Sequence, residues 1–156
     1  MTDSDFMRLA IQSAWQGLEA GEMPFGACIV RRGQVVVVSH NSAKAHMDTT
    51  SHAEVQAIRD ASRTLRTLEL PGCVIYSTCE PCPMCFAACA WAKIGQIVYA
   101  CRIEDAVKAG IRQIPIPSSR MKELGYQEVE LIGDVLREDS VKLFEAWSRG
   151  ETRPRI

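Results

Sequence analysis

The sequence predicts a layered α/β domain. Three observations lead there: apolar runs of strand length alternate with stretches of helical apolar spacing, the later strands are separated by segments long enough to hold a helix, and 156 residues suffice for one domain with a real core. Met7, Ala10, Ile11, Ala14, Trp15 and Leu18 recur at helical spacing after Asp3 and Ser4, either of which can cap; Gly21 ends this first helix. Residues 26–30 and 35–39 are apolar runs joined by Arg31-Arg32-Gly33, which reads as a hairpin. The polar segment 41–51 reads as irregular. A helix over about 52–65 follows, with Val55, Ile58, Ala61 and Leu65 on its apolar side.

A third strand over 73–77 precedes a helix over 82–93, and a fourth strand over 97–101 precedes a helical stretch near 104–109. A short helix is expected over 118–124, a fifth strand over 128–132 and a closing amphipathic helix over 139–148. Helical crossovers favour parallel pairing of the later strands. With no repeat, low-complexity tract or linker, residues 1–156 are expected to form a single domain, with 148–156 as a short C-terminal tail.

Hydrophobic content of 47% and charged content of 24% match ordinary globular usage and argue against a disordered chain. No apolar run, 35–38 among them, is long enough to cross a bilayer. No charged-then-apolar leader opens the sequence, so a cytoplasmic protein without membrane association is expected. A net charge of −1 argues against broad electrostatic capture of nucleic acid. Seven cysteines, an odd number without an export signal, point to metal binding or burial rather than disulfides. Cys28, Cys73 and Cys101 lie among strand residues and are expected in the core, as is Trp91; His40 and His46 read as solvated loop residues.

Four residues carry the chemistry: His52 and Glu54 in S-H-A-E, and Cys82 and Cys85 in E-P-C-P-M-C. One imidazole and two thiolates leave a fourth zinc position for water, as catalytic zinc sites do. Pro83 suits the first helical position, so Cys82 is the natural cap and Cys85 shares its face. Both sulfurs then sit at a helix N-terminus, which favours thiolate. His52 and Glu54 are harder to reconcile, because a gap of two in a regular helix separates side chains by about 200°. Both reach one metal-bound water only if His52 lies at the irregular start of its helix. Zinc lowers the pKa of bound water to about 7, giving a hydroxide that attacks a ring carbon bearing an exocyclic amine. Glu54 is expected to carry the protons of that reaction. The non-catalytic alternative is a closed structural zinc module built from Cys79, Cys82, Cys85 and Cys89. H-x-E followed by P-C-x-x-C is the signature of zinc-dependent nucleobase deaminases.

On these residues the chain resembles the cytidine and deoxycytidylate deaminase superfamily, closest to small bacterial guanine deaminases and tRNA adenosine deaminases. P-F-G-A at 24–27, S-H-A-E-V-Q-A-I-R at 51–59, T-C-E-P-C-P-M-C at 78–85 and D-A-V-K-A-G at 105–110 carry the resemblance over nearly the whole length. It implies a three-layer cytidine-deaminase-like fold, a mixed five-stranded sheet with helices on both faces, one zinc per subunit and a homodimer. It further implies that Asn41 binds the substrate ring, Ala53 supplies a backbone contact and the Glu80 carbonyl meets the leaving amine. Phe25 and Ala27 are further candidates for substrate contact; the alternatives are core packing for Phe25 and a turn cap for Asn41.

Departures bear on substrate. Guanine deaminases of this type follow K-A-G with an aromatic residue and an acidic pair, where this chain has Ile111-Arg112-Gln113. Arg112 and Gln113 therefore stand as candidates for base selection. The glycine-rich segment and Phe-Phe-Arg-like helix of the tRNA enzymes are absent, whereas residues 144–147 resemble the Phe-x-Ala-Trp of guanine deaminases. Glu151 in the tail is a candidate partner for an N–H edge of a base. The expected substrate is a small amino-substituted heterocycle: a guanine-like purine, a pterin, a triazine or a pyrimidine. The alternative is adenosine in tRNA, with Arg149, Arg153 and Arg155 as its support.

Overall fold

The computed structural model describes residues 1–126 and 128–152. Its centre is a five-stranded sheet in the order β2-β1-β3-β4-β5, formed by β1 (Gly26–Arg31), β2 (Gln34–His40), β3 (Cys73–Cys79), β4 (Gln96–Cys101) and β5 (Glu130–Ile132). β1 is antiparallel to both β2 and β3, whereas β3, β4 and β5 run parallel. The sheet is thus mixed, and the parallel half is the one whose connections contain helices, as expected.

Side-chain alternation along the strands sorts the helices into two layers. On one face Cys28, Val30, Tyr76, Val98 and Ala100 meet Phe6, Met7, Ala10 and Ala14 of α1 (Asp3–Glu19), Ala106 of α5 (Ile103–Lys108), and Leu143 and Phe144 of α7 (Arg137–Ser148). On the other, Ala27, Ile29, Ile75 and Ile97 meet Ala53, Ala57 and Ala61 of α3 (Ala53–Leu65) and Phe86 and Cys89 of α4 (Pro83–Trp91), with Met121 of α6 (Ser118–Leu124) at the edge. Cys28, Cys73 and Cys101 are buried as expected. Among the described residues no helix is long and apolar enough to cross a membrane.

Three local expectations are corrected. Thr2, rather than Asp3 or Ser4, caps α1: its Oγ1 accepts from Asp5 N (3.3 Å) while Asp5 Oδ2 accepts from Thr2 N (2.8 Å). This is the reciprocal box that places the cap three residues before an acid, and Asp3 instead accepts from the Tyr76 hydroxyl at 2.8 Å. Segment 41–51 contains a one-turn helix, α2 (Ala43–His46). The buried Glu22 carboxylate, distant in sequence, accepts from Lys44 N (3.1 Å) and Ala45 N (2.7 Å) and so caps it from outside. Trp91 is not core but 85% exposed. The inner face of α4 is set by Cys85, Phe86 and Cys89, and two residues beyond Cys89 a side chain has turned about 200° away.

The fit of α1 on β1 depends on Gly26. A Cβ there would collide with the Ala10 carbonyl oxygen and stand 2.8 Å from Ala14 N. Both are helix backbone atoms that cannot turn aside. Overpacking of this kind typically costs about 1–3 kcal/mol, equivalent to a fall in Tm of roughly 2–10 °C for a domain of this size. Gly26→Ala is expected to show that fall in a thermal melt, whereas Gly95→Ala, with no atom within 4 Å of its Cβ position, should melt close to the parent.

Candidate metal centre

Two helix N-termini meet at the C-terminal end of β3. Leaving β3, the chain passes Glu80 and Pro81 into Cys82, the N-cap of α4, with Pro83 in the first turn. Cys82 has extended backbone angles (φ −63°, ψ 166°), and His52, N-cap of α3, has nearly the same (φ −62°, ψ 157°). Because His52 lies outside the regular helix, the 200° separation from Glu54 does not apply. Both side chains face the same point.

His52 Nδ1 lies 3.7 Å from Cys82 Sγ and 3.5 Å from Cys85 Sγ, and the sulfurs are 3.6 Å apart. Tetrahedral zinc with bonds of about 2.3 Å to sulfur and about 2.0–2.1 Å to nitrogen needs S···S near 3.8 Å and S···N near 3.6 Å. The triangle therefore fits one face of a zinc tetrahedron, with its fourth corner not supplied by a fourth side chain of the cluster. Among the described residues this is the one trio of potential ligands so gathered. Cys79 instead donates to the Arg102 carbonyl at 3.7 Å, and Cys89 is packed with Phe86 and Ile94 in the core beneath α3 and α4. The four-cysteine alternative fails because those two side chains are committed elsewhere.

Electrostatics support the ligand set. The hydrogen bond shared with Cys85 is the main cause that brings Cys82 down to about 4; burial opposes it and His52 assists. The same bond and near-complete burial hold Cys85 well above the ordinary thiol range. His52 is pushed up, chiefly by its hydrogen bond to Cys82. A thiolate is thus already favoured at Cys82, and a divalent cation among the three atoms would offset the charge that Cys85 gains on losing its proton.

Glu54, in the first turn of α3, is buried. Its Oε1 accepts from Ser77 Oγ at 2.8 Å and its Oε2 from Cys85 Sγ at 3.4 Å. Burial first, and the Cys82 charge second, raise its pKa. Ser77 was not singled out in the sequence, where it stands between two other hydroxyl residues, Tyr76 and Thr78, in β3.

The remaining candidates divide. Asn41 is buried beside the centre's entry strand, its N donating to Phe25 O (3.0 Å) and its Oδ1 accepting from Ala43 N (3.1 Å). It therefore does cap a turn, and in doing so its amide is oriented with Nδ2 as the donor left over. Ala27 is buried on β1 opposite Ser77. Phe25 packs edge-on against Phe144, ring centroids 5.6 Å apart, so core packing occupies at least one of its faces. Ala53 opens α3, where a backbone N–H has no acceptor within the helix. The Glu80 side chain has a role the sequence did not reveal: Oε1 accepts from Ser118 N (2.7 Å) and Oε2 from Ile103 N (3.3 Å), stapling the starts of α5 and α6 to the turn before Cys82.

Arg112 is exposed and Gln113 half-buried in the connection between α5 and α6, and no hydrogen bond ties either to the metal cluster. Glu151 accepts from Arg149 Nε at 3.0 Å and lines a cavity of about 660 Å³ with Ile11, Trp15 and Ala146, between α1 and α7. None of the cluster residues lines that cavity. Arg153 and Arg155 lie outside the described residues.

Comparison with known proteins agrees with this geometry. The family model for the cytidine and deoxycytidylate deaminase zinc-binding region matches residues 1–101. A guanine deaminase of Bacillus subtilis is 40% identical over 111 residues, covering 70% of this chain and 71% of that protein. A tRNA-specific adenosine deaminase of Aquifex aeolicus is 40% identical over 95 residues, 61% of this chain and 63% of that one. The solved guanine deaminase of Nitrosomonas europaea superposes with a TM-score of 0.86 at 24% identity, over 94% of this chain and 84% of its own, a likeness of fold. With the family model spanning most of the chain, the protein belongs to the cytidine and deoxycytidylate deaminase family and is a hydrolytic deaminase.

Proposed function

We propose that this protein is a zinc-dependent deaminase of a small, free amino-substituted heterocycle. The observation that carries the reading is the three-atom face made by His52, Cys82 and Cys85, with the buried carboxylate of Glu54 directly against it. Zinc held by these residues supplies Lewis-acid activation of water for hydrolysis of a C–N bond. Glu54 would take one proton from the attacking water and pass it to a ring nitrogen, then take the second from the new hydroxyl on the ring carbon and pass it to the amine, which leaves as ammonia while the carbonyl forms. Its raised pKa brings the carboxyl closer to the range where it both accepts and returns protons. Ser77 holds one oxygen still, so that the other faces the cluster. Asn41 Nδ2 and the Ala53 N–H donate to acceptors on the ring, and the Glu80 carbonyl accepts from the amine.

Support for a free base comes from the resemblance of residues 144–147 to guanine deaminases and from the Bacillus relative. Guanine itself is disfavoured, because Arg112 and Gln113 stand where an acidic pair is expected and guanidinium only donates hydrogen bonds. Adenosine in tRNA is the second reading, favoured by the Aquifex relative. Its support from Arg149 weakens, since that guanidinium is engaged by Glu151. Ammonia release measured over free bases, nucleosides and tRNA decides between them. A tRNA gel shift with a steep salt slope would favour the second.

Three outcomes follow. Cys82→Ala should lose zinc and activity together, whereas Cys79→Ala and Cys89→Ala should still bind one zinc per chain by elemental analysis; zinc loss from either control would restore the four-cysteine site. Glu54→Gln should keep zinc and fold while turnover falls by at least about 10²–10⁴-fold, the usual weight of general acid–base catalysis. Near-normal turnover in that variant would end the proposed mechanism. Arg112→Asp should reorder the preference among bases with zinc content unchanged, and an unaltered ranking would place Arg112 outside base selection.

A further inference from the structure

His52 is a ligand whose direction its own helix does not fix. It lies one residue before α3, with extended backbone angles and no side-chain capping bond, so its ring is aimed by the segment that leads into it. That segment, residues 48–51, is tied in several ways. Asp48 Oδ1 accepts from Thr50 N (2.8 Å) and Thr50 Oγ1 (2.7 Å), while Asp48 Oδ2 accepts from Ser51 Oγ (3.0 Å). The backbone closes the same turn: Ser51 N donates to Asp48 O (3.0 Å), and His52 N donates to Thr50 O (2.8 Å).

One side chain from the body of α3 reaches back over this knot. Arg59 lies seven residues beyond His52, in the second turn of α3. Its Nη1 donates to Ser51 Oγ (3.0 Å) and Asp48 Oδ2 (3.3 Å), and its Nη2 donates to Thr50 Oγ1 (2.9 Å). Three residues just before the ligand are thus held by one planar fork, which a lysine cannot reproduce. Ser51 is fully buried, and its carbonyl accepts from Ser42 N at 3.0 Å. The knot therefore also grips the residue next to Asn41.

We propose that Arg59 is a positioning residue for the metal centre: by clamping residues 48–51 it fixes the direction of the His52 imidazole and the placement of Asn41. The plain alternative is a surface ion pair. Arg59 and Asp48 side chains are each 36% exposed, and pairs of that kind contribute little to stability. The two accounts differ in what they predict. A surface pair predicts no change at the metal. A clamp predicts loosened metal binding with little change in global stability, since loss of groups that orient a ligand typically costs about 10–100-fold in metal affinity.

The inference rests on the zinc reading above, and the experiment separates the two. Zinc-loaded parent, Arg59→Ala, Arg59→Lys and Asp48→Asn proteins are titrated with a competing chelator, and the metal-free forms are melted in parallel. Arg59→Ala should release zinc to about 10–100-fold less chelator. Its metal-free Tm should stay within about 4 °C of the parent. Arg59→Lys should recover only part of the loss, Asp48→Asn should fall between Lys and parent, and steady-state kinetics should show KM rising for whichever base the parent accepts. Zinc retention in Arg59→Ala equal to the parent overturns the clamp. So does zinc loss accompanied by a large fall in metal-free Tm, which marks a merely structural role. A parent protein that takes up no zinc overturns both readings at once.

Discussion

The structure depends on a convergence of two helix N-termini at one strand end. α3 begins at that end and runs away from it, β3 returns along the sheet, and α4 begins where β3 stops. β2 and β3 both run antiparallel to β1, so α3 and α4, which follow them, begin at the same end of the sheet. The consequence is electrostatic. Free backbone N–H groups and the positive ends of both helices face the cluster. In an interior that otherwise disfavours charge, they lower the cost of thiolate at Cys82 and Cys85.

The same convergence explains the change of strand direction. β1 runs antiparallel to β3 and β4 runs parallel to it, so the sheet's two connection rules meet at β3. Crevices outside the carboxyl ends of strands, where topology switches, are the usual ligand sites of open α/β sheets. At that end of the sheet lie Gly26 and Ala27 at the start of β1, Ser77 of β3 and Asn41 just beyond β2. Gly26 N donates to Thr78 Oγ1 at 3.0 Å, and Ser140 Oγ donates to Thr78 O at 2.8 Å. One buried residue on β3 thus joins the entry of β1 to α7 immediately behind the site.

How much of this the sequence carried depended on range. The clustering of His52, Cys82 and Cys85 was legible because both motifs pack their geometry into a few positions: a proline at the first helical turn and a polar run before His52 announce where each helix begins. Elements with strong apolar period were found within a few residues. What escaped were features made by contacts distant in sequence. α2 needs the carboxylate of Glu22, twenty-one residues earlier than Ala43, and reads as loop without it. Glu80 was singled out for its backbone carbonyl alone, because the two N–H groups its side chain accepts from belong to Ile103 and Ser118. Trp91 was assigned to the core by residue type, although its turn of α4 points outward. Arg112 and Gln113 were singled out by comparison with a family pattern, and their segment has no local period from which a direction can be read.

The last consequence concerns the carboxylate. Glu54 has two oxygens: Oε1 accepts from the Ser77 hydroxyl and Oε2 from the Cys85 thiol. These donors are not equivalent. Ser77 keeps its proton at any working pH, so Oε1 stays anchored to β3. Cys85 is itself one of the three clustered residues, and as a thiolate it would have no proton to donate. Ligation there would remove the thiol's bond to Oε2 and leave that oxygen next to the cluster, while the Ser77 bond would hold the carboxylate in place. The oxygen of Glu54 nearest the cluster would thus be freed of its thiol donor in the same ionisation state that binds metal. One hydroxyl on β3 and one thiol's proton would in that way couple readiness of the proposed base to formation of the metal centre.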